Sequence, residues 1–311
     1  MNKKINMIIG TGVLGAYLSY FLLKKNERVV VTSRNLKKNV RNYTFLKINK
    51  KIKFVKLDVC NKKEVERILE KYNPKKVFYF AGQSSITKSI LNKKETLRSH
   101  FVGTKIFLDI IKKKKLILKF FKANSGYIFS PNKGIINLKC KLSSNKNPYI
   151  TAQQKTFKLV KKYRDQGLCA FNLIFMQIES PLRPNDFFIK KVCIGAKYKK
   201  KIIVGNINTS RDYTWITDIV KAIILTSNLK TQDYIISAGK KMSGKTVLEK
   251  AYSLNNLNYK NFFSINKKFF RKKENKLLIG STKNSFYLKK KFNFKFKIFG
   301  DKLVKEMYKN L

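Results

Sequence analysis

Short apolar runs alternate, through the first half of the chain, with segments whose apolar positions recur every three or four residues. Residues 5–9 are apolar and end at a glycine cluster, and a helical pattern follows through Leu18, Phe21 and Leu22 to Lys25. Residues 28–32, 52–57, 77–81, 119–123 and 169–175 read as further strands, and 62–71, 97–113 and 149–164 as helices between them. Strands that are apolar on both faces and separated by helices predict an α/β architecture. That architecture is a doubly wound parallel sheet with helices on both sides. From Glu179 the alternation loosens, and Pro181 and Pro184 interrupt it. The pattern therefore predicts a first domain over 1–178 and a smaller α/β lobe mainly over 179–311. Strands of the two can interleave, and no internal repeat is visible.

Composition supports a folded chain. It has 311 residues, 43% hydrophobic and 13% aromatic, enough for a sizeable core. No run of about 18 apolar residues occurs, so no transmembrane helix is expected. The basic start Met1-Asn2-Lys3-Lys4 leads into a glycine-containing stretch without a small-residue cleavage site and reads as part of the fold. Cys60, Cys140, Cys169 and Cys193 are far apart and only one histidine, His100, is present, so no metal site is expected. Scattered cysteines without a secretory signal point to the cytoplasm. His100 lies in a predicted helix and reads as a packing residue.

The charge balance is extreme: Lys+Arg 70 against Asp+Glu 17, a net +53. A basic surface binds phosphate backbones without regard to sequence by releasing counterions. Here, however, the excess is almost all lysine, spread from end to end together with Asn and Ile, as A+T-rich coding produces. No DNA- or RNA-reading motif accompanies it. Specific nucleic-acid binding is not expected, and nonspecific binding stands as an alternative. The same surface would draw in a nucleotide.

The glycine cluster is Gly10-Thr11-Gly12-Val13-Leu14-Gly15, between a predicted strand and a predicted helix, the context a dinucleotide fingerprint needs. Gly10 permits the tight turn, Gly12 lets backbone approach a pyrophosphate, and Gly15 lets helix and strand pack. The helix N-terminus, with Val13 and Leu14, supplies amide donors and a partial positive charge. At the end of the second strand, Thr32-Ser33-Arg34 stands where an acidic residue would favour NAD. A guanidinium with hydroxyls suits a 2′-phosphate, so NADP is expected, with NAD possible. Asp58 and Val59 after the third strand suit the adenine, and Ala81-Gly82-Gln83 after the fourth would pass beside the cofactor.

Several short stretches follow the glycine turn in a telling order. They are Leu57-Asp58-Val59, Ala81-Gly82-Gln83-Ser84-Ser85, Ala123-Asn124-Ser125, Pro148-Tyr149 and Glu179-Ser180-Pro181. Gly205-Asn206, Arg211-Asp212-Tyr213 and Phe270-Arg271-Lys272-Lys273-Glu274 with Leu278-Ile279-Gly280 complete the series. In this order and at these separations, the chain resembles the extended short-chain dehydrogenase/reductase family. These are the Rossmann-fold, NAD-dependent epimerases and dehydratases of nucleotide sugars, and the GDP-mannose 4,6-dehydratase branch is nearest. The likeness runs from about residue 4 to about 305. It implies a lyase in deoxysugar synthesis that turns GDP-mannose into GDP-4-keto-6-deoxymannose, and a homo-oligomer, dimer or tetramer.

The resemblance also implies roles. Tyr149 would take the proton from the sugar 4-hydroxyl and Ser125 would orient it. Ser85, Gln177, Lys190, Lys191, Arg211, Arg271 and Glu274 would hold the GDP-sugar, the cations through the diphosphate. Tyr149 and the residue four further on would also touch the nicotinamide ribose. That residue, in the family a lysine that lowers the tyrosine's pKa, is here Gln153. On a helix Gln153 lies about 40° from Tyr149 and faces the same way, whereas Lys155 lies about 240° round. An amide can bond a ribose hydroxyl but cannot stabilise a tyrosinate by charge. Tyr127 stands at the position of the family's C5 base, a glutamate. Ile9 replaces the first family glycine, and Ile178 a histidine. Three further readings follow: a 4-keto reductase, which needs no C5 base, or an epimerase; a catalytically impaired nucleotide-sugar-binding homologue; and the nonspecific nucleic-acid binder.

Overall fold

The structure is a computed structural model and describes residues 5–36, 40–270 and 274–311. Its strands, in chain order, are β1 (Ile5–Ile9), β2 (Arg28–Ser33), β3 (Lys53–Lys56), β4 (Lys76–Tyr79), β5 (Lys119–Ser125), β6 (Ile135–Ile136) and β7 (Ala170–Phe175). They continue with β8 (Gln177–Glu179), β9 (Ile202–Val204), β10 (Ser210–Trp215), β11 (Tyr234–Ile236), β12 (Lys241–Ser243), β13 (Phe263–Ile265) and β14 (Leu277–Gly280).

The chain forms two compact units. The first contains 1–130, 142–174 and 223–234, and the second 131–141, 175–222 and 235–311. The segments interleave, so no single cut at 178 separates them.

In the first unit the sheet order is β11-β7-β5-β4-β1-β2-β3. β1 runs parallel to both β2 and β4, with Ile5 opposite Arg28 and Asn6 opposite Lys76. The chain therefore starts in the middle of the sheet, winds out through β2 and β3, and returns to β4 and β5. This is the expected doubly wound parallel sheet. The order reverses between β1 and β4, whose C-terminal ends deliver Gly10 and Ala81 to one crevice, the usual place for a ligand in such sheets.

Both faces of the central strands β1, β4, β5 and β7 are largely dry, which is why they read as apolar runs, whereas edge strand β3 is exposed or half-buried along its length. On one face Phe78, Phe121 and Phe171 stack across β4, β5 and β7 at centroid distances of 4.7 and 4.5 Å. On the other, Met7, Val77, Tyr79 and Phe120 pack against Val65 and Leu69 of helix Lys62–Tyr72, Phe107 and Ile111 of helix Gly103–Lys113, and Val160 of helix Pro148–Asp165. Helix Lys62–Tyr72 begins where Asn61 accepts from Glu64 N and ends at Asn73 in the left-handed region, φ 35°. Helix Pro148–Asp165 begins where Asn147 accepts from Tyr149 N, with proline in its first turn.

The single helix expected over 97–113 is interrupted. Arg98–Val102 winds as a π-helix before helix Gly103–Lys113 begins. Such wide turns are frequent at functional sites, and this one carries His100.

In the second unit β10 is the hub. It pairs antiparallel with β12 and parallel with β14 and β8, and β14 pairs with β6. The buried Asp212 carboxylate accepts from Gly239 N at 2.9 Å and Gly280 N at 3.2 Å, tying three segments together. Burial pushes its pKa up to about 6. β9 and β13 form a separate parallel pair. No helix among the described residues is long and apolar enough to cross a membrane.

Candidate active site

The glycine turn is built as its sequence demands. Gly10 has φ +105° and donates its amide to Thr32 O at 3.0 Å. A Cβ on Gly10 would lie 3.0 Å from Ala81 N, and one on Gly15 only 2.6 Å from Gly10 O. Neither position admits a side chain without displacing backbone. Gly12 is different, since a Cβ there would meet nothing within 4 Å. Its openness faces outward from the first turn of helix Val13–Lys24, which has no side-chain cap and no acidic residue. A turn of bare amides with room above it can take an anion. Val13 and Leu14 are half-buried beside it.

At the end of β2 the Arg34 guanidinium meets Glu95 Oε1 at 2.7 Å, with both side chains well exposed. After β3, Asp58 Oδ1 accepts from Cys60 N at 2.9 Å, and Asp58 N donates to Glu64 at 3.0 Å. Val59 is buried, and its side chain packs where a Cβ on Gly103 would lie. After β4, Gly82 has φ +133°, and a Cβ there would fall 2.3 Å from the His100 ring. Gln83 folds its side chain back, its Oε1 accepting from Ser85 N at 3.0 Å.

Ser125 ends β5, and its Oγ accepts from Tyr127 N at 3.3 Å in the turn Gly126–Ile128. Tyr149 sits in the first turn of its helix and is buried. Gln153, one turn on, is also buried, and among the described residues its Oε1 has no hydrogen-bond partner.

Two residues that sequence reasoning passed over stand in the same unit. His100 packs its ring edge-on against Tyr149, centroids 5.8 Å apart, while its Nε2 is 2.9 Å from Gln83 O. Burial and the charge of Lys122 depress its pKa to about 3, so it is neutral at physiological pH. Lys122 is 1% exposed on β5, with its ammonium donating to Ala123 O at 2.6 Å and lying 5.3 Å from the Tyr79 ring centroid. Burial lowers its pKa to about 7. The signal was present in the sequence, because a lysine inside the apolar run Phe120-Phe121-Lys122-Ala123 of a two-sided buried strand is out of pattern.

In the second unit the proposed substrate residues are largely engaged with protein. The Lys190 ammonium donates to Pro181 O and Arg183 O at 2.7 and 2.9 Å. Lys191 donates to Ile203 O at 2.7 Å. Arg211 pairs with Glu274 at 2.8 Å and also donates to Ser210 O and Asn275 O. Gln177 starts β8, opposite Tyr213. In the first unit Ser85 caps helix Ile86–Leu91 by accepting from Lys88 N. Arg271 lies outside the described residues. Ile178, in β8, is opposite Thr214.

Comparison with known proteins agrees with this architecture. The family model for GDP-mannose 4,6 dehydratase matches residues 8–307. GDP-mannose 4,6 dehydratase 1 of Arabidopsis thaliana is 26% identical over 326 aligned residues, covering 98% of this chain and 89% of that protein. GDP-mannose 4,6-dehydratase of Vibrio cholerae serotype O1 is 26% identical over 80% of this chain and 71% of its own length. Among solved structures, UDP-glucuronic acid 4-epimerase from Bacillus cereus, in complex with UDP-glucuronic acid and NAD, superposes with a TM-score of 0.85. It covers 98% of both chains at 16% identity. The chain belongs to the GDP-mannose 4,6-dehydratase family.

Proposed function

We propose that the protein is an NADP-dependent enzyme of nucleotide sugars that acts on GDP-mannose as a 4,6-dehydratase. The observation that carries this reading is the glycine turn, in a chain matched by the family model over 8–307. Gly10 and Gly15 have no space for a Cβ, whereas Gly12 opens to solvent above uncapped helix amides at the sheet's switch point. The residues fit a dinucleotide. The amides at Gly12, Val13 and Leu14 would hold the pyrophosphate, and Asp58 and Val59 would border the adenine. Ala81-Gly82-Gln83 would line the path to the reacting ring. A 2′-phosphate would compete with Glu95 for Arg34, a cation already held at that strand end. The bound cofactor would supply a hydride acceptor at the sugar C4.

The chain's own residues would then bind, orient and move protons. Tyr149 would accept the proton of the sugar 4-hydroxyl, which Ser125 would orient. Buried Gln153 would offer an amide to the nicotinamide ribose. In the second unit, Gln177, Lys190, Lys191, Arg211 and Glu274 would surround the GDP-sugar, together with Arg271. Purified protein incubated with NADP and GDP-mannose should yield the 4-keto-6-deoxy sugar. No product across the neutral and alkaline range removes the dehydratase reading.

Tyr127 favours one second reading. A phenol stands where the family's C5 base would be, and its backbone amide is held by Ser125 Oγ. A 4-keto reductase needs no such base. Oxidation of NADPH on addition of GDP-4-keto-6-deoxymannose, without turnover of GDP-mannose, would decide for it.

A further inference from the structure

Gly12 has no Cβ, so its own covalent structure does not fix which way the preceding peptide unit points. That unit is planar and trans, with its carbonyl and its N–H on opposite sides. Turning the Thr11–Gly12 unit over would carry Gly12 from φ −65° into the positive region, which a glycine adopts freely. It would also set a carbonyl oxygen in place of an N–H above the first turn of helix Val13–Lys24, where the proposed function seats an anion. The turn needs a further constraint. We propose that Asn42 supplies it: by holding Thr11 O, its side-chain amide aims the Gly12 N–H at the pyrophosphate. The proposal rests on reading the glycine turn as a dinucleotide site. Asn42 is a positioning residue, because it acts on the ligand only through the Gly12 amide.

Asn42 Nδ2 donates to Thr11 O at 3.1 Å, across 31 residues of chain. The carbonyl is thereby drawn toward helix Arg41–Phe45, and the N–H of the same planar unit points the opposite way. Gly12 is exposed, with open space where a Cβ would stand. Neighbouring parts of the turn are tied elsewhere. Gly10 N donates to Thr32 O at 3.0 Å, and Thr11 Oγ1 lies 3.5 Å from Ser33 Oγ. These contacts place the residues around the Thr11–Gly12 peptide. Among the described residues, Asn42 is the one side chain bonded to its carbonyl.

Asn42 can hold the turn because its helix is itself anchored. The next residue, Tyr43, is fully buried, and its hydroxyl lies 3.4 Å from where a Cβ on Gly15 would stand. Its ring packs edge-on against Phe54 of β3, centroids 5.0 Å apart. Ile48 N donates to Tyr43 O at 3.0 Å and closes the helix. Tyr43 therefore fixes the helix between the glycine turn and the edge strand, and the step of one residue presents the Asn42 amide to Thr11. Asn42 itself is half-buried, so trimming it removes the amide and little packing.

The test is calorimetric titration of the full chain with NADP, NAD and adenosine 2′-monophosphate. The two dinucleotides carry the pyrophosphate, and the monophosphate lacks it. Asn42→Ala should weaken binding of the dinucleotide, NADP or NAD, by about tenfold, as expected for a lost hydrogen bond to a charged group. Binding of adenosine 2′-monophosphate should stay within about twofold of wild type. Equal weakening of dinucleotide and monophosphate overturns the proposal, because a purely structural role would loosen the whole adenine side. Unchanged dinucleotide binding in Asn42→Ala overturns it too. If Asn42→Ala does not fold, Asn42→Ser, whose hydroxyl ends one bond short of the amide nitrogen, is read in the same way. A wild type that binds neither NADP nor NAD removes the dinucleotide reading and this proposal with it. Wild-type binding without loss in the variant removes the proposal alone.

Discussion

Arg211 and Glu274 grip each other across 63 residues of chain. Nη2 and Oε1 are 2.8 Å apart, with side chains only 6% and 17% exposed, and the guanidinium also donates to Ser210 O and Asn275 O. The family resemblance places both side chains at the GDP-sugar. The structure makes them a unit that locks β10 to the segment entering β14. Removing one partner strands a buried charge, which costs about 3 kcal/mol. Arg211→Met and Glu274→Gln should each lower stability by about that amount in urea unfolding. The double variant Arg211→Met/Glu274→Met should recover most of the loss. Additive losses in the double variant would mean that the two side chains act independently.

Gly82 and His100 are coupled by space. A methyl group at Gly82 would stand 2.3 Å from the imidazole and on a backbone at φ +133°, which side chains rarely adopt. Gly82→Ala should cost about 2 kcal/mol. His100→Ala clears the collision but leaves the backbone strain, so the double variant should lose less than the two single losses combined. A double-mutant cycle by urea unfolding measures the difference. A coupling energy of zero would place the cost of Gly82→Ala in the backbone alone.

The parts of this molecule that were legible in the sequence are those fixed by short-range demands. β1, β2 and β7 are buried on both faces and read as apolar runs. The glycine turn shows because Gly10 requires a positive φ and Gly15 a close approach. The second unit was hardly legible, since β6 is two residues long and β8, β9, β12 and β13 are three each, too short to express a period. The π turn at Arg98–Val102 follows a helical pattern and differs only in its hydrogen bonds. Long-range pairing was invisible as well. Nothing near Arg211 announces Glu274, and His100 looks like simple packing in the sequence because its contacts Gln83 and Tyr149 come from separate elements.

The net charge of +53 should make the protein salt-sensitive. Seventeen acids cannot neutralise seventy cations, and ion pairs such as Arg34–Glu95, Lys105–Asp109 and Lys250–Asp301 are exposed. Self-repulsion of like charges destabilises the compact state, and added salt screens it over about 10 Å at 0.1 M. The thermal midpoint should rise by about 3–6 °C between about 20 mM and 300 mM sodium chloride, corresponding to roughly 1–2 kcal/mol. Retention on DNA should disappear over the same range. A flat thermal midpoint would show that the lysines are too dispersed to repel one another measurably.

Lys122 should write its burial into the pH dependence of stability. Its pKa falls from the ordinary lysine value to about 7 because folding strips water from the ammonium. Below about pH 7 the lysine is charged in both states, and the folded protein bears the whole desolvation cost. Between about pH 7 and 10.5 the unfolded chain holds a proton that the folded chain has released, so this group's contribution makes stability rise with pH. Above that window both states are neutral and the cost is gone. Lys122→Met should therefore stabilise the protein by on the order of 3 kcal/mol at about pH 6 and much less at about pH 10. At the alkaline end the lost bond from Nζ to Ala123 O leaves the variant close to wild type. Urea unfolding at the two pH values checks this against the wild type. Equal gains at both would mean that the ammonium stays solvated in the folded protein.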